Sequence, residues 1–238
     1  MGSLLCVFGL LGMAGGGALA AHAYGNSRQQ VPNSAAYGPV LWRDASVDQL
    51  FPATIGDPPD NTYQASDAKA AQWSRLGVSQ DTSCSAGLSG KTAKTAEQLG
   101  CTAVLRATYV DLGGEMVATV AVIVLPKDGT GAERMGEFLD DQAGEDVPDA
   151  AVVPLRVPGT LAAKWRPQKR NGMGGTGLGD HLPYAVAVTT GAADGRTSSN
   201  LPGDFGDYGG NDSDRQPWMD AAKALGQTFH IHIENLER

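Results

Sequence analysis

The chain has 238 residues, a formal net charge of −8 and a pI near 4.9. No broad positive field is available to neutralise a phosphate backbone, so no nucleic-acid partner is expected. Thirty-two glycines and thirteen prolines against 6% aromatics indicate long connections around a modest core of small aliphatic side chains, in one domain rather than two.

The first stretch, SLLCVFGLLGMAGGGALAAHA from Ser3 to Ala23, is free of charge, and the uncharged run extends from Met1 to Ser27. Its apolar part, about twenty residues, matches the hydrocarbon thickness of a bilayer at 1.5 Å per residue. Residues 1–25 are expected to form a transmembrane anchor or a signal peptide. A buried core helix is the alternative, but such a helix carries polar caps and a solvated face. Ala18 with Ala20, and Ala21 with Ala23, offer the small residues that a signal peptidase reads. No basic residue precedes the run and Arg28 follows it, so the positive-inside rule does not set its orientation. Cys6 sits inside the run, and Ser3, Leu4 and Leu5 before it give no lipoprotein context. Anchored or cleaved, the remainder is expected outside the cytoplasm: an extracytoplasmic domain at the cell membrane, or a secreted one.

Residues 26–60 hold Pro32, Pro39, Pro52, Pro58 and Pro59 with little periodicity, the composition of a connector. Within it, LWRDASVDQLFP at 41–52 carries enough apolar surface to pack on the domain that follows, residues 61–238. SDAKAAQWSRLG then reads as a short helix capped by Ser66 or Asp67 and stopped at Gly77. A second helix is expected over much of Cys84 to Leu99, ended by Gly100. Cys84 and Cys101 are the two thiols outside the apolar run, an even number in a chain with an export signal. They are expected to form a disulfide, with two buried free thiols as the alternative.

CTAVLRATYV, DLGG and EMVATVAVIVLP, from Cys101 to Pro126, form the clearest local pattern: two runs rich in valine and threonine around a glycine turn, a β-hairpin. Val120, Val122 and Val124 alternate with Thr119, Ala121 and Ile123, which predicts a central strand covered on both faces. Thr130 and Glu133 have capping-box spacing, and Ala132, Met135, Phe138 and Leu139 recur on one face of the helix that follows. AVVPLRV at 151–157 reads as a strand near an edge because of Pro154, and PYAVAVTTGAADGR at 183–196 as another. Trp218, Ala222, Leu225, Phe229, His232 and Leu236 mark a last helix, with Pro217 suited to its first turn. The sum is an α+β fold: an antiparallel sheet of about four strands, with helices packed mainly on one face, behind the N-terminal segment.

Several motifs invite chemistry. GMGGTG, Gly172 to Gly177, matches the letters of a dinucleotide fingerprint, but a strand follows it where a helix should, so it reads as a mobile loop. KWRPQKR places Lys164, Arg166, Lys169 and Arg170 around Trp165 in an otherwise acidic chain. Such a cluster suits an anionic group, a lipid head group or a cell-wall phosphate; a solvated edge whose stems cover apolar surface is the alternative. Asp204, Asp207, Asp212 and Asp214 offer oxygen ligands for calcium without EF-hand spacing. His230 and His232 share a face on a strand, yet point about 200° apart on the expected helix and cannot grip one ion there. GLSGK at 87–91 lacks the second glycine of a nucleophile elbow, and no Ser, His and Asp set stands out. No cofactor, metal or catalytic residue is expected.

LFP, WSRLGV, GCTAVLRATYVD, VATVAVIVLP and ADGR, scattered from Leu50 to Arg196, give the chain a resemblance to a group of poorly characterised actinobacterial proteins that are membrane-anchored or secreted. None of these motifs is catalytic. The resemblance implies a bacterial envelope location, a place beside secretion machinery, and a matching cysteine pair at Cys84 and Cys101. Two functional expectations follow: a non-catalytic extracytoplasmic module that binds a protein partner or an envelope component, held at the membrane by its N-terminal segment, or an exported hydrolase with an unrecognised site.

Overall fold

The computed structural model describes residues 36–56, 71–127, 130–143, 151–178, 182–197 and 211–236. The apolar segment 1–25, the Ser66 and Asp67 cap, and Asp204 and Asp207 lie outside them. So do the side chains of Asp212 and Asp214. Among the described residues no helix is long and apolar enough to cross a membrane.

In chain order the elements are α1 (Leu41–Asp44), α2 (Val47–Leu50), β1 (Thr54–Gly56), β2 (Ala71–Val78), α3 (Cys84–Gly87), β3 (Leu88–Ser89), α4 (Gly90–Gln98), β4 (Ala103–Asp111), β5 (Met116–Val124), α5 (Thr130–Ala143), β6 (Ala151–Val152), β7 (Gly172–Gly177), β8 (Tyr184–Ala192) and α6 (Asn211–Leu236). Six strands, not about four, make one antiparallel sheet in the order β1-β2-β4-β5-β8-β7. The hairpin stands as read: β4 and β5 pair from Ala103↔Val124 to Val110↔Val117. The second strand of that hairpin is central and buried on both sides.

Period-2 alternation divides the sheet into two covered faces. The first presents Ala107, Tyr109, Val120, Val122, Val186 and Val188 to α6 and to the segment 37–51. The second presents Val104, Ala121, Ile123, Ala185 and Ala187 to α4 and α5. Helices therefore lie on both faces rather than mainly on one. LWRDASVDQLFP packs on the body as expected: Leu41, Leu50 and Phe51 are buried. Carbonyls of this segment and of Gly38 just before it take hydrogen bonds from the sheet and from α6: Tyr184 Oη to Gly38 O at 2.6 Å, Tyr109 Oη to Pro52 O at 3.0 Å, and His232 Nε2 to Gln49 O at 2.6 Å. A ring nitrogen facing a carbonyl has to carry the proton, which fixes the Nε2–H tautomer.

Further sequence readings need correction. The helix expected at SDAKAAQWSRLG is strand β2 over residues 71–78, because pairing with β1 and β4 outweighs the helical preference of its alanines. Gly77 stops no helix; it makes room for Val157, whose methyls would lie 3.0 Å from a Cβ there. The single helix expected from Cys84 is two short ones around β3, and Gly100, at φ +78°, ends the second as predicted. The GMGGTG loop is the edge strand β7. Its glycines alternate between two helices: a Cβ on Gly174 would come within 2.7 Å of the α6 backbone at Ala222, and one on Gly175 within 2.7 Å of Leu139 on α5. Only a strand stripped of side chains fits between both helices at that distance. Finally, AVVPLRV pairs over just two residues, with β3 rather than at an edge of the main sheet, and then continues as an irregular arm.

Cys84 and Cys101 are disulfide-bonded, with sulfurs 2.01 Å apart. The last helix carries Trp218, Ala222, Leu225, Phe229 and His232 at its buried seam. Pro217 lies inside it rather than in the first turn.

Candidate anion-binding site

The second face is apolar only over part of its area. Past Val104 and Ala121, the same strands present Arg106, Thr108 and Thr119, all buried. Residues 153–165 lie over this polar strip. Irregular backbone under packing needs partners for its N–H and C=O groups, and the strip supplies them. Arg106 Nη1 donates to Val153 O and Thr108 Oγ1 to Leu155 O, each at 2.8 Å, while Leu155 N and Trp165 Nε1 donate to Thr119 Oγ1 at 3.1 and 2.9 Å. Thr108 Oγ1 and Thr119 Oγ1 are 2.9 Å apart. With both lone pairs of Thr119 occupied by N–H donors, its own proton goes to Thr108, whose proton is committed to Leu155. The hydrogen-bond chain runs one way.

Arg106 is 5% exposed, and its Nε has no partner among the described residues. Burial draws its pKa down, while the charge of Asp81 pulls it back up. Hydrogen bonds from Ser83 hold that Asp81 carboxyl below its ordinary value.

Trp165, 2% exposed, is the arm's anchor. It fits because Gly191 of β8 has no side chain: any Cβ there would meet the Trp165 ring and the Lys169 carbonyl. Around the anchor the arm closes on itself. Thr160 Oγ1 accepts from Ala162 N at 3.1 Å and donates to Val157 O at 2.7 Å, and Arg156 Nε donates to Ala163 O at 3.1 Å.

The closed arm frames a pocket of about 390 Å³ lined by Arg156, Lys164, Arg166 and Lys169, with Asp194 and Gly195 contributed by the turn after β8. Gly195 has φ +81°, and its amide donates to Ala192 O at 2.9 Å. Asp194 is tied to its neighbour: Oδ1 accepts from Arg196 N at 2.9 Å and Oδ2 pairs with Arg196 Nε at 2.5 Å. Among the described residues none of the four lining cations has an ion pair, and three of them, Arg156, Lys164 and Arg166, are exposed.

Three of the four cations singled out from the sequence thus converge. Arg170 does not line the pocket; its Nε donates to Pro167 O at 3.0 Å. Arg156 takes the fourth place, and sequence reading missed it because it stands eight residues before Lys164 in a stretch taken for a strand. His230 and His232 lie on α6 and turn to different partners, Glu234 at 3.2 Å and the Gln49 carbonyl. Among the described residues no three potential metal ligands gather. A second hollow, about 310 Å³, opens beside β7 and carries mixed charge from Asp140, Asp220 and Lys223. Comparison of the chain with protein-family models, with curated proteins and with solved structures returns no match.

Proposed function

We propose that the chain is a non-catalytic extracytoplasmic binding module of the bacterial envelope, held there by its N-terminal segment and presenting its arm pocket to an envelope component or a protein partner. The observation that carries this reading is four convergent cations that form no ion pair among the described residues, in a chain of net charge −8. Local charge opposite to the global charge draws an anion to that one place and not to the rest of the surface.

Geometry supports the tethered arrangement. Gly38, near the start of the described chain, meets Tyr184 at the first residue of β8 on the first face. Asp194 lines the pocket just past the last residue of that strand, and the arm lies on the second face. Nine residues of strand separate the two ends by about 26 Å. A body attached through residues before Gly38 would hold its pocket at the opposite corner from the attachment. The disulfide suits an oxidising compartment, in line with the resemblance to exported actinobacterial proteins.

The test uses the full-length chain expressed in a bacterial host. Expected are recovery with membranes or in the exported fraction, a linked Cys84–Cys101 peptide in a non-reduced digest, and saturable co-sedimentation with isolated envelope fragments. Recovery in the cytosol with free thiols and no envelope binding would overturn the proposal.

A further inference from the structure

We infer that the arm pocket is a site for a ligand carrying two or more closely spaced phosphoryl groups on a flexible, non-nucleic chain. The inference rests on the binding-module reading only for the source of the ligand, and its chemistry follows from the pocket. Arg156 and Arg166 supply planar forks that match phosphate oxygens in pairs, whereas Lys164 and Lys169 supply point charges that accept any approach direction. Four positive charges stand against Asp194, whose carboxylate is already held by Arg196. A single carboxylate ligand would neutralise one of the four. Two phosphomonoester ends, at about −1.5 to −2 each, or a run of several in-chain phosphoryl groups match the set.

The volume agrees, since about 390 Å³ falls within the range of sites that enclose a small organic ligand or a short piece of a polymer. The pocket is also poorly suited to nucleic acid. Among the described residues the aromatic beside it is Trp165, which is buried beneath the arm with its indole N–H committed to Thr119, so no described ring is presented for a base to stack on. The site is held in place as well as charged: the Trp165 anchor, the Thr108 and Thr119 chain and the Arg156 to Ala163 hydrogen bond fix the backbone from which the cations project. Less loop ordering is left to occur on binding.

The experiment is a calorimetric titration of the full-length chain, in non-ionic detergent micelles at 150 mM salt, with short-chain polyphosphate, with inorganic phosphate, and with the same micelles carrying cardiolipin, a lipid with two phosphates on one glycerol, at equal phosphate. Polyphosphate is expected to bind at least tenfold tighter than inorganic phosphate. The double variant K164E/R166E is expected to lose at least tenfold of that affinity, its neutral counterpart K164Q/R166Q somewhat less, and K94E/K127E, with the same change in net charge at exposed positions elsewhere, less than twofold. All three variants change exposed side chains, and unchanged thermal midpoints would confirm folding. Cardiolipin binding lost in K164E/R166E would support the site with a lipid source; polyphosphate binding without cardiolipin binding would support it with a polymer source. Equal losses in the pocket and control variants, or polyphosphate binding no tighter than inorganic phosphate, would overturn the inference. Envelope binding that survives K164E/R166E would also sink the site while leaving the module reading intact. Polyphosphate binding through the pocket with no envelope binding would do the reverse.

Discussion

The two faces of the central sheet combine apolar packing and directed hydrogen bonds in different proportions. On the first face, α6 and the segment 37–51 close over aliphatic and aromatic side chains, with Phe229 touching both Phe51 and Tyr109 at ring-centroid distances of 6.0 and 5.6 Å. On the second, part of the cover is helix on aliphatic surface, and the rest is an irregular arm held by hydroxyls, a guanidinium and an indole N–H, with Ala162 and Trp165 packed on Val110 and Val117 at its far end. Apolar packing is non-directional and roughly proportional to area, so the first face specifies stability. Hydrogen bonds are directional and expensive to leave unmade, so the second face specifies where a loop goes, and the candidate site rides on that loop.

Phe229→Ala would break the first face and is expected to have the largest effect. Phe229 is fully buried, and its truncation is expected to cost about 3–5 kcal/mol in urea unfolding, while polyphosphate affinity of the folded fraction stays within twofold. Thr119→Val attacks the second face without changing volume appreciably. It strands the Trp165 indole N–H and the Leu155 amide and should cost about 2–3 kcal/mol. Unlike the first variant it should also weaken polyphosphate binding, and Thr119→Ser should restore both readouts. If Phe229→Ala disturbed the pocket and Thr119→Val did not, the division of labour between the faces would be wrong.

The smallest effect is a pH dependence confined to the first face. Burial lowers the pKa of His232, with the Gln49 carbonyl acting the other way. The unfolded chain therefore takes up this proton at a higher pH than the folded one, and the stability it represents is lost as pH falls below the ordinary histidine value of about 6.5. Burial also raises Tyr184 to about 12, against a smaller opposing effect of the Trp42 amide. Here the unfolded chain releases its proton first, so stability is lost as pH rises from about 10 towards 12. Denaturant midpoints measured across both windows should bend down at each end, and His232→Gln should flatten the acid limb alone.

Legibility in the sequence follows the same division. The β4 and β5 hairpin, the buried seam of α6 and the packing of LWRDASVDQLFP could be read because apolar periodicity reports apolar cover. The β7 strand could not, because its glycines have little strand preference and their reason for being there is the close approach of two helices from elsewhere in the chain. For β2, alanines beside a capping residue gave a local signal that sheet pairing overrode. Within the site, the basic cluster around Trp165 was visible as composition, but its convergence was not. Arg156 joins through an arm whose path depends on Thr108, Thr119 and the missing side chain at Gly191, none of which carries a periodic signal. The threonines in the two hairpin strands were the available clue: buried hydroxyls require partners, and here those partners belong to an overlying loop.

The bond between Cys84 and Cys101 closes a loop with a sequence separation of 17 residues, worth about 3 kcal/mol in the chain-entropy view. A domain of ordinary stability has about 5–15 kcal/mol in total, so a copy stranded among reducing thiols would unfold more often and meet proteases sooner. Persistence of the molecule is thereby coupled to the redox state of its surroundings, and copies held in the reduced form are the first to be cleared.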